Sequence, residues 1–211
     1  MTVELSIPLS SSYVAQRDPS ALLGAIAEWV MRARPISTQH PYGFWVILLR
    51  RAETEEWRFH MWSKDRSAPD GMPAPIHTHE KVVDSRILMG ELENITYRVR
   101  STATGGYPVY MAHHLSDKYS PENRNLLVKT PERYIPVRAG QQTLSVGDGY
   151  NVQAHVFHEA RVREGILTCT IVRMHSPSPG PVQILGSDGY PPEIEFRRMS
   201  ASAYEVFKSN F

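Results

Sequence analysis

The period of the apolar positions changes once along the chain. In residues 18–34, Leu22, Leu23, Ile26, Trp29 and Val30 recur at spacings of three and four, the stripe of an amphipathic helix. Asp18 can cap that helix, and Pro19 suits its first turn. After the Pro-containing break RPISTQHPYG the period drops to two. Residues 44–49 are aromatic and β-branched, and Trp57, Phe59 and Met61 alternate with polar residues. Residues 64–75, with DG and three prolines, read as a turn region. Short strands are expected over residues 76–79, 86–89, 91–99, 107–112, 134–137, 143–146 and 167–174. The polar stretch at 113–133 reads as a long loop over one end, and SPSPGP and GYPP as extended or turn-forming. Ser202 with Glu205 has the capping-box spacing of a short last helix. Many short strands with helices only near the termini predict a sandwich or closed barrel.

Composition narrows the function classes. With 23 Lys and Arg against 22 Asp and Glu, the net charge is +1, which gives no electrostatic reason to expect nucleic acid or an anionic membrane as partner. No apolar run approaches the roughly 20 residues of a membrane span. The N-terminal MTVELSIPLSSS lacks the pattern of a secretory signal, and Cys169, the single cysteine, allows no internal disulfide. Both point to the cytoplasm. The 211 residues suit one domain, and nine histidines make imidazole placement the first question.

His77 and His79 are two apart, so on a strand both imidazoles point to one face and can reach one metal. The same pair also fits a solvated strand face. Its surroundings separate the two readings: five residues lie between Gly71 and His77, and ten between His79 and Gly90. Downstream, five residues lie between Gly147 and Gln153, and His155 and His158 follow. These two segments resemble the paired motifs of the cupin superfamily, with both glycine-to-histidine spacings matched over a barrel of about residues 44–175.

The resemblance implies an all-β, cupin-like jelly-roll barrel with an N-terminal helix and a short C-terminal helix, forming a single domain over residues 1–211. It also implies a metal site at His77, His79 and His158. The family's acidic ligand falls on Val83, and Asp84 points to the other face unless the strand bulges, so the expected site has three histidines. Gln153 and His155 replace the family's Pro and Gly, and Val162 its Asn. His155, three residues from His158, faces away on a regular strand, while His113 and His114 read as loop residues. His40 and His60 have no pattern that singles them out.

Three neutral imidazoles leave coordination positions open. Imidazole suits iron, copper, nickel and zinc, and availability decides among them more than affinity. Open positions on iron(II) can hold a substrate and dioxygen together, so iron(II) is expected first, with nickel, manganese, zinc and copper as the other candidates. PAPIHTH, GELENITYRV, VFHEARV and IVRMHSPSP resemble, in part, the thiol dioxygenases such as cysteine dioxygenase. That family's outer-sphere His and Tyr fall on Arg173 and His175, and neither Val83 nor Asp84 can supply its crosslinking cysteine. Arg173 and His175 share a strand face. If it is the inner one, Arg173 is the expected carboxylate anchor and His175 the donor or base. The sequence thus points to an iron(II) oxygenase taking a small polar substrate and dioxygen. A metal-dependent lyase or isomerase and a non-catalytic binding module are the competing classes, and a homodimer is a further expectation from the family.

Overall fold

The Ala21 amide donates to Asp18 Oδ1 at 2.9 Å, and from this cap helix α2 (Pro19–Ala33) runs with Leu22, Ile26 and Val30 fully buried along one face. In the computed structural model, which describes residue 5 and residues 7–65, 75–117, 119–120 and 122–211, that face lies on the outside of a β-sheet. Gly71 and most of the turn expected at 64–75 lie outside the described residues, as does part of the N-terminal stretch.

A short helix α1 (Ser11–Gln16) precedes α2. The strands are β1 (Ile36–Gln39), β2 (Trp45–Arg51), β3 (Glu56–Trp62), β4 (Val82–Met89), β5 (Leu92–Ser101), β6 (Tyr107–His114) and β7 (Arg124–Leu144). They continue as β8 (Gly149–Val152), β9 (Phe157–Val162), β10 (Thr168–His175), β11 (Val182–Leu185), β12 (Glu193–Arg197) and β13 (Ser200–Ser202), before helix α3 (Ala203–Lys208). They form two antiparallel sheets. One has seven strands in the order β13-β1-β2-β3-β10-β4-β8, the other six in the order β11-β6-β7-β5-β9 with β12 added along β7. This is the all-β, jelly-roll architecture expected from the sequence, with its helices near the two ends of the chain. No helix among the described residues is long and apolar enough to cross a membrane.

Sheet alternation divides the seven-stranded sheet into two chemically different faces. Trp57, Phe59 and Met61 of β3, Ile47 and Leu49 of β2, and Cys169 and Ile171 of β10 pack outward under α2, α3 and their flanks. The other row of β3, with Arg58, His60 and Trp62, faces the space between the sheets. Tight corners hold this arrangement. Gly90, between β4 and β5, has φ +76°, and a Cβ there would lie 2.6 Å from the Leu167 carbonyl oxygen, so both conformation and space require glycine.

Several expected boundaries differ. Residues 113–133 are not a long loop: His113 and His114 end β6, and β7 runs unbroken for 21 residues. Its partners explain this, since β7 pairs with β6, β5 and β12, while its polar residues and prolines hide the strand pattern from the sequence. Residues 76–79 form isolated bridges rather than a strand. The supposed break after α2 contains β1, and the C-terminal stretch contains β11, β12 and β13. Ser202 begins α3 without a side-chain capping bond.

Because Ile26 is fully buried in the stripe by which α2 packs on the sheet, Ile26→Ala should cost about 2–5 kcal/mol. Chemical denaturation should show this as a lowered midpoint with an unchanged slope.

Candidate metal centre

The HxH segment is strung between two strands by its backbone. His77 and His158 exchange amide bonds in both directions (3.0 and 2.9 Å), and the Thr78 amide donates to the Gln183 carbonyl at 2.9 Å. Extended backbone turns Thr78 away and leaves His77 and His79 on one side, facing His158 on β9. The three rings lie 4.7–5.1 Å apart between centroids, and one nitrogen from each falls within 4.8 Å of the others.

Hydrogen bonds select the tautomers. His77 Nδ1–H donates to the Pro75 carbonyl at 2.7 Å, and His158 Nδ1–H donates to Asn94 Oδ1 at 3.1 Å. Both Nε2 atoms therefore carry free lone pairs. His79 Nε2 and His158 Nε2 lie 3.0 Å apart. Two nitrogens about 2.1 Å from one metal and at right angles are about 3.0 Å apart, so the donor set fits a divalent ion. Burial keeps the imidazoles neutral. It pushes His77 down to about 4 despite its bond to Pro75, and holds His79 and His158 well below the usual histidine value, each further opposed by its neighbouring rings.

Around this centre stand Tyr42, 4.9 Å from the His77 ring, and His40, stacked on Phe44 at 4.3 Å. Arg58, His60, Trp62, Val83, Val172 and Met174 close the same space. The free volume is small, about 50 Å³ over the imidazoles and about 90 Å³ in an adjoining lobe that reaches His114 and Arg198. Glu56, 2% exposed, receives Arg58 Nε and Nη2, the Tyr119 hydroxyl at 2.8 Å and Lys81 at 3.4 Å, so Arg58 is already engaged by a carboxylate.

The structure brings His77, His79 and His158 together and separates Arg173 and His175 from them. Val83 and Met174 line the cavity, so their neighbours Asp84, Arg173 and His175 project from the opposite face. There Arg173 donates to Glu55 Oε2 at 2.6 Å and to Ser11 Oγ at 2.8 Å, and His175 Nε2 meets Asp84 Oδ2 at 2.8 Å. Arg173 thus fastens α1 to the sheet and cannot anchor a ligand at the three histidines from this position. No bulge turns Asp84 inward, and its carboxylate also accepts Asn151 Nδ2 at 2.7 Å. His155 sits at φ +60° with its ring against Gly180 and Ser178, away from the cluster. Among the apolar residues of the seven-stranded sheet, Trp62 and Ile87 face inward, whereas Met61 and Ile171 pack under the helices. His40, Tyr42, Arg58, His60 and Arg198 were not legible as site residues. For Arg58 and His60 the one available signal was their shared alternation in EWRFHMW.

The Glu55 carboxyl illustrates the outward face. Burial raises its pKa, but bonds from Arg173, Trp57 and Arg50 outweigh this and hold it at about 2 against an ordinary 4.5. A group depressed on folding contributes stability above its unfolded value and loses it as pH falls toward the folded one. Stability measured by urea titration should therefore drop between about pH 4.5 and pH 2, less steeply in Glu55→Gln. Arg173→Met should also lower stability while leaving metal content unchanged.

No family model and no curated protein matches the chain. Similar solved structures include Rhodobacter sphaeroides SigE in complex with the anti-sigma ChrR, at 10% identity over 63% of this chain and 44% of that one, TM-score 0.32. Hydroxypropylphosphonic acid epoxidase from S. wedmorenis is similar at 15% identity over 69% of this chain and 56% of that one, TM-score 0.38. Protein SO0799 from Shewanella oneidensis is similar at 12% identity over 70% and 77%, TM-score 0.36. The chain spans about half the length of the first two. At these identities the likeness concerns the fold alone.

Proposed function

We propose that this chain is a metal-dependent enzyme in which His77, His79 and His158 hold one divalent metal, iron(II) first, and that it oxidises a small polar substrate with dioxygen. The observation that carries the metal half is the convergence of three neutral ring nitrogens, two with their tautomer set by a hydrogen bond to Pro75 or Asn94. Such bonds orient imidazoles and raise their basicity as ligands. Three neutral ligands neither fill the coordination sphere nor cancel the ion's charge, so substrate oxygen or nitrogen atoms can still bind. When bound, the metal supplies Lewis acidity and, as iron(II), electrons for dioxygen.

The chain's own residues set the remaining conditions. Phe44, Trp62 and Ile87 belong to the apolar cluster at one end of the inner space and exclude water from it. The cavity of about 50 Å³ over the imidazoles admits only a small substrate. Arg173 and His175, outside the cavity, supply no outer-sphere set of the thiol dioxygenase kind. The proposed oxidation therefore relies on different partners for its substrate.

Metal analysis of anaerobically purified protein should find about one ion per chain. His77→Ala, His79→Ala and His158→Ala should each lower occupancy sharply, and Asn94→Ala should weaken affinity by about 10–100-fold. His155→Ala and Asp84→Asn should keep the metal. Full occupancy in His158→Ala would sink the assignment. In an oxygen-electrode screen over amino acids, thiols and hydroxy acids, the iron form should consume oxygen and the zinc form should not. Equal turnover of a panel compound with zinc, without oxygen uptake, would select a Lewis-acid lyase or isomerase instead.

A further inference from the structure

Beyond the three imidazoles, the same inner space holds polar atoms that are sealed from solvent and have no hydrogen-bond partner: Arg198 Nε, Tyr42 Oη and His60 Nε2. Buried polar groups are almost always paired, and an unpaired cation is the costliest exception. Arg198 arrives there by strand alternation. Along β12 and the residues after it, Glu193, Glu195, Arg197 and Met199 are exposed, while Ile194, Phe196 and Arg198 turn inward. On the outer row, Arg124 grips Glu195 at 2.6 Å, which holds the row in this register. β12 joins the six-stranded sheet through β7, and β13 joins the seven-stranded one through β1, so the segment carrying Arg198 crosses from sheet to sheet beside the histidines.

The cations of the cavity are not equivalent. Arg58 spends its guanidinium on Glu56. The charged and phenolic neighbours that reach Arg198 are Arg58, which repels it, and Tyr119 and Tyr42. Burial lowers its pKa to about 10, so it keeps its charge at neutral pH.

We propose that Arg198, with the Tyr42 hydroxyl, forms an anion subsite for the carboxylate of a small substrate whose other end reaches the three histidines. One spare cation in a lobe of about 90 Å³ matches a single carboxylate better than a phosphate dianion. The second half of this proposal rests on the metal reading; the subsite itself does not.

The test uses glycolate, a carboxylate with an α-hydroxyl, titrated calorimetrically into chelator-treated and cobalt(II)-treated full-length protein, with inorganic phosphate as the comparison. Wild type should bind glycolate saturably in both forms. Arg198→Gln should weaken this at least tenfold with unchanged metal content, and Arg173→Gln should match wild type. Equal binding by wild type and Arg198→Gln, no saturable binding by wild type, or tighter binding of phosphate would overturn the subsite. Arg198-dependent glycolate binding in protein that takes up no cobalt would keep the subsite and remove the metal reading. Ligand-free thermal unfolding adds a readout of the unpaired charge. Arg198→Met should unfold at a higher temperature than wild type and lose the glycolate-induced rise, whereas a lowered midpoint would assign Arg198 to the fold and overturn the proposal.

Discussion

The seven-stranded sheet has to bury an apolar row on its outer side, and helix α2 does it. Trp57, Phe59, Met61, Ile47 and Ile171 lie under Leu22, Ile26 and Val30 in one cluster, the largest apolar packing among the described residues. Hydrophobic burial is non-directional and is satisfied as well outside a sandwich as inside it. With one face of the sheet covered in this way, its inner face need not be uniformly apolar. Arg58 and His60 can then occupy the space between the sheets without leaving the strand unstable.

The inner space is graded along its length. Phe44, Val46, Trp62, Ile87, Leu92, Leu144 and Val162 pack one region. The three imidazoles follow, fixed by backbone bonds of the 77–79 segment to β9 and β11. Beyond them lie Arg58 with Glu56, and the lobe that holds His114, Asn125 and Arg198. This order puts neutral, desolvated nitrogen donors next to apolar walls and places charge on the far side. Desolvation strengthens every electrostatic contact a ligand makes there, and it also penalises each polar group left without one.

Two arginines show how placement decides role. Arg173 and Arg198 have the same chemistry, yet Arg173 is satisfied by Glu55 and Ser11 and works as a clasp for α1. Arg198 Nε is buried with no partner, a strained position that a protein keeps only at some loss of stability. Buried hydroxyls of Thr38, Ser85, Thr170 and Ser200 are also unpartnered, but Arg198 carries a charge, and a bound ion or ligand is one of the few things that can complete it. Tyr42 Oη and His60 Nε2 are likewise unpartnered in the same cavity.

Much was legible in the chain itself. The helix at 18–34, many of the short strands and the sandwich-or-barrel class follow from local periodicity and turn residues, because these signals lie within a few residues of one another. The jelly-roll form and the grouping of the distant His158 with His77 and His79 were expected only from the resemblance to the paired cupin motifs. The 21-residue β7 was not legible, since its pairing with β5, β6 and β12 supplies the stability that its polar sequence does not announce. A period of two says that EWRFHMW and TCTIVRMH each have two faces. It cannot say which face is inside, because that depends on where α2 packs. Tertiary structure therefore turned Arg173 and His175 outward and brought Arg58, His60 and, from a C-terminal segment far along the chain, Arg198 to the histidines. Long-range burial, rather than local pattern, decides which polar row of a sheet meets the cavity.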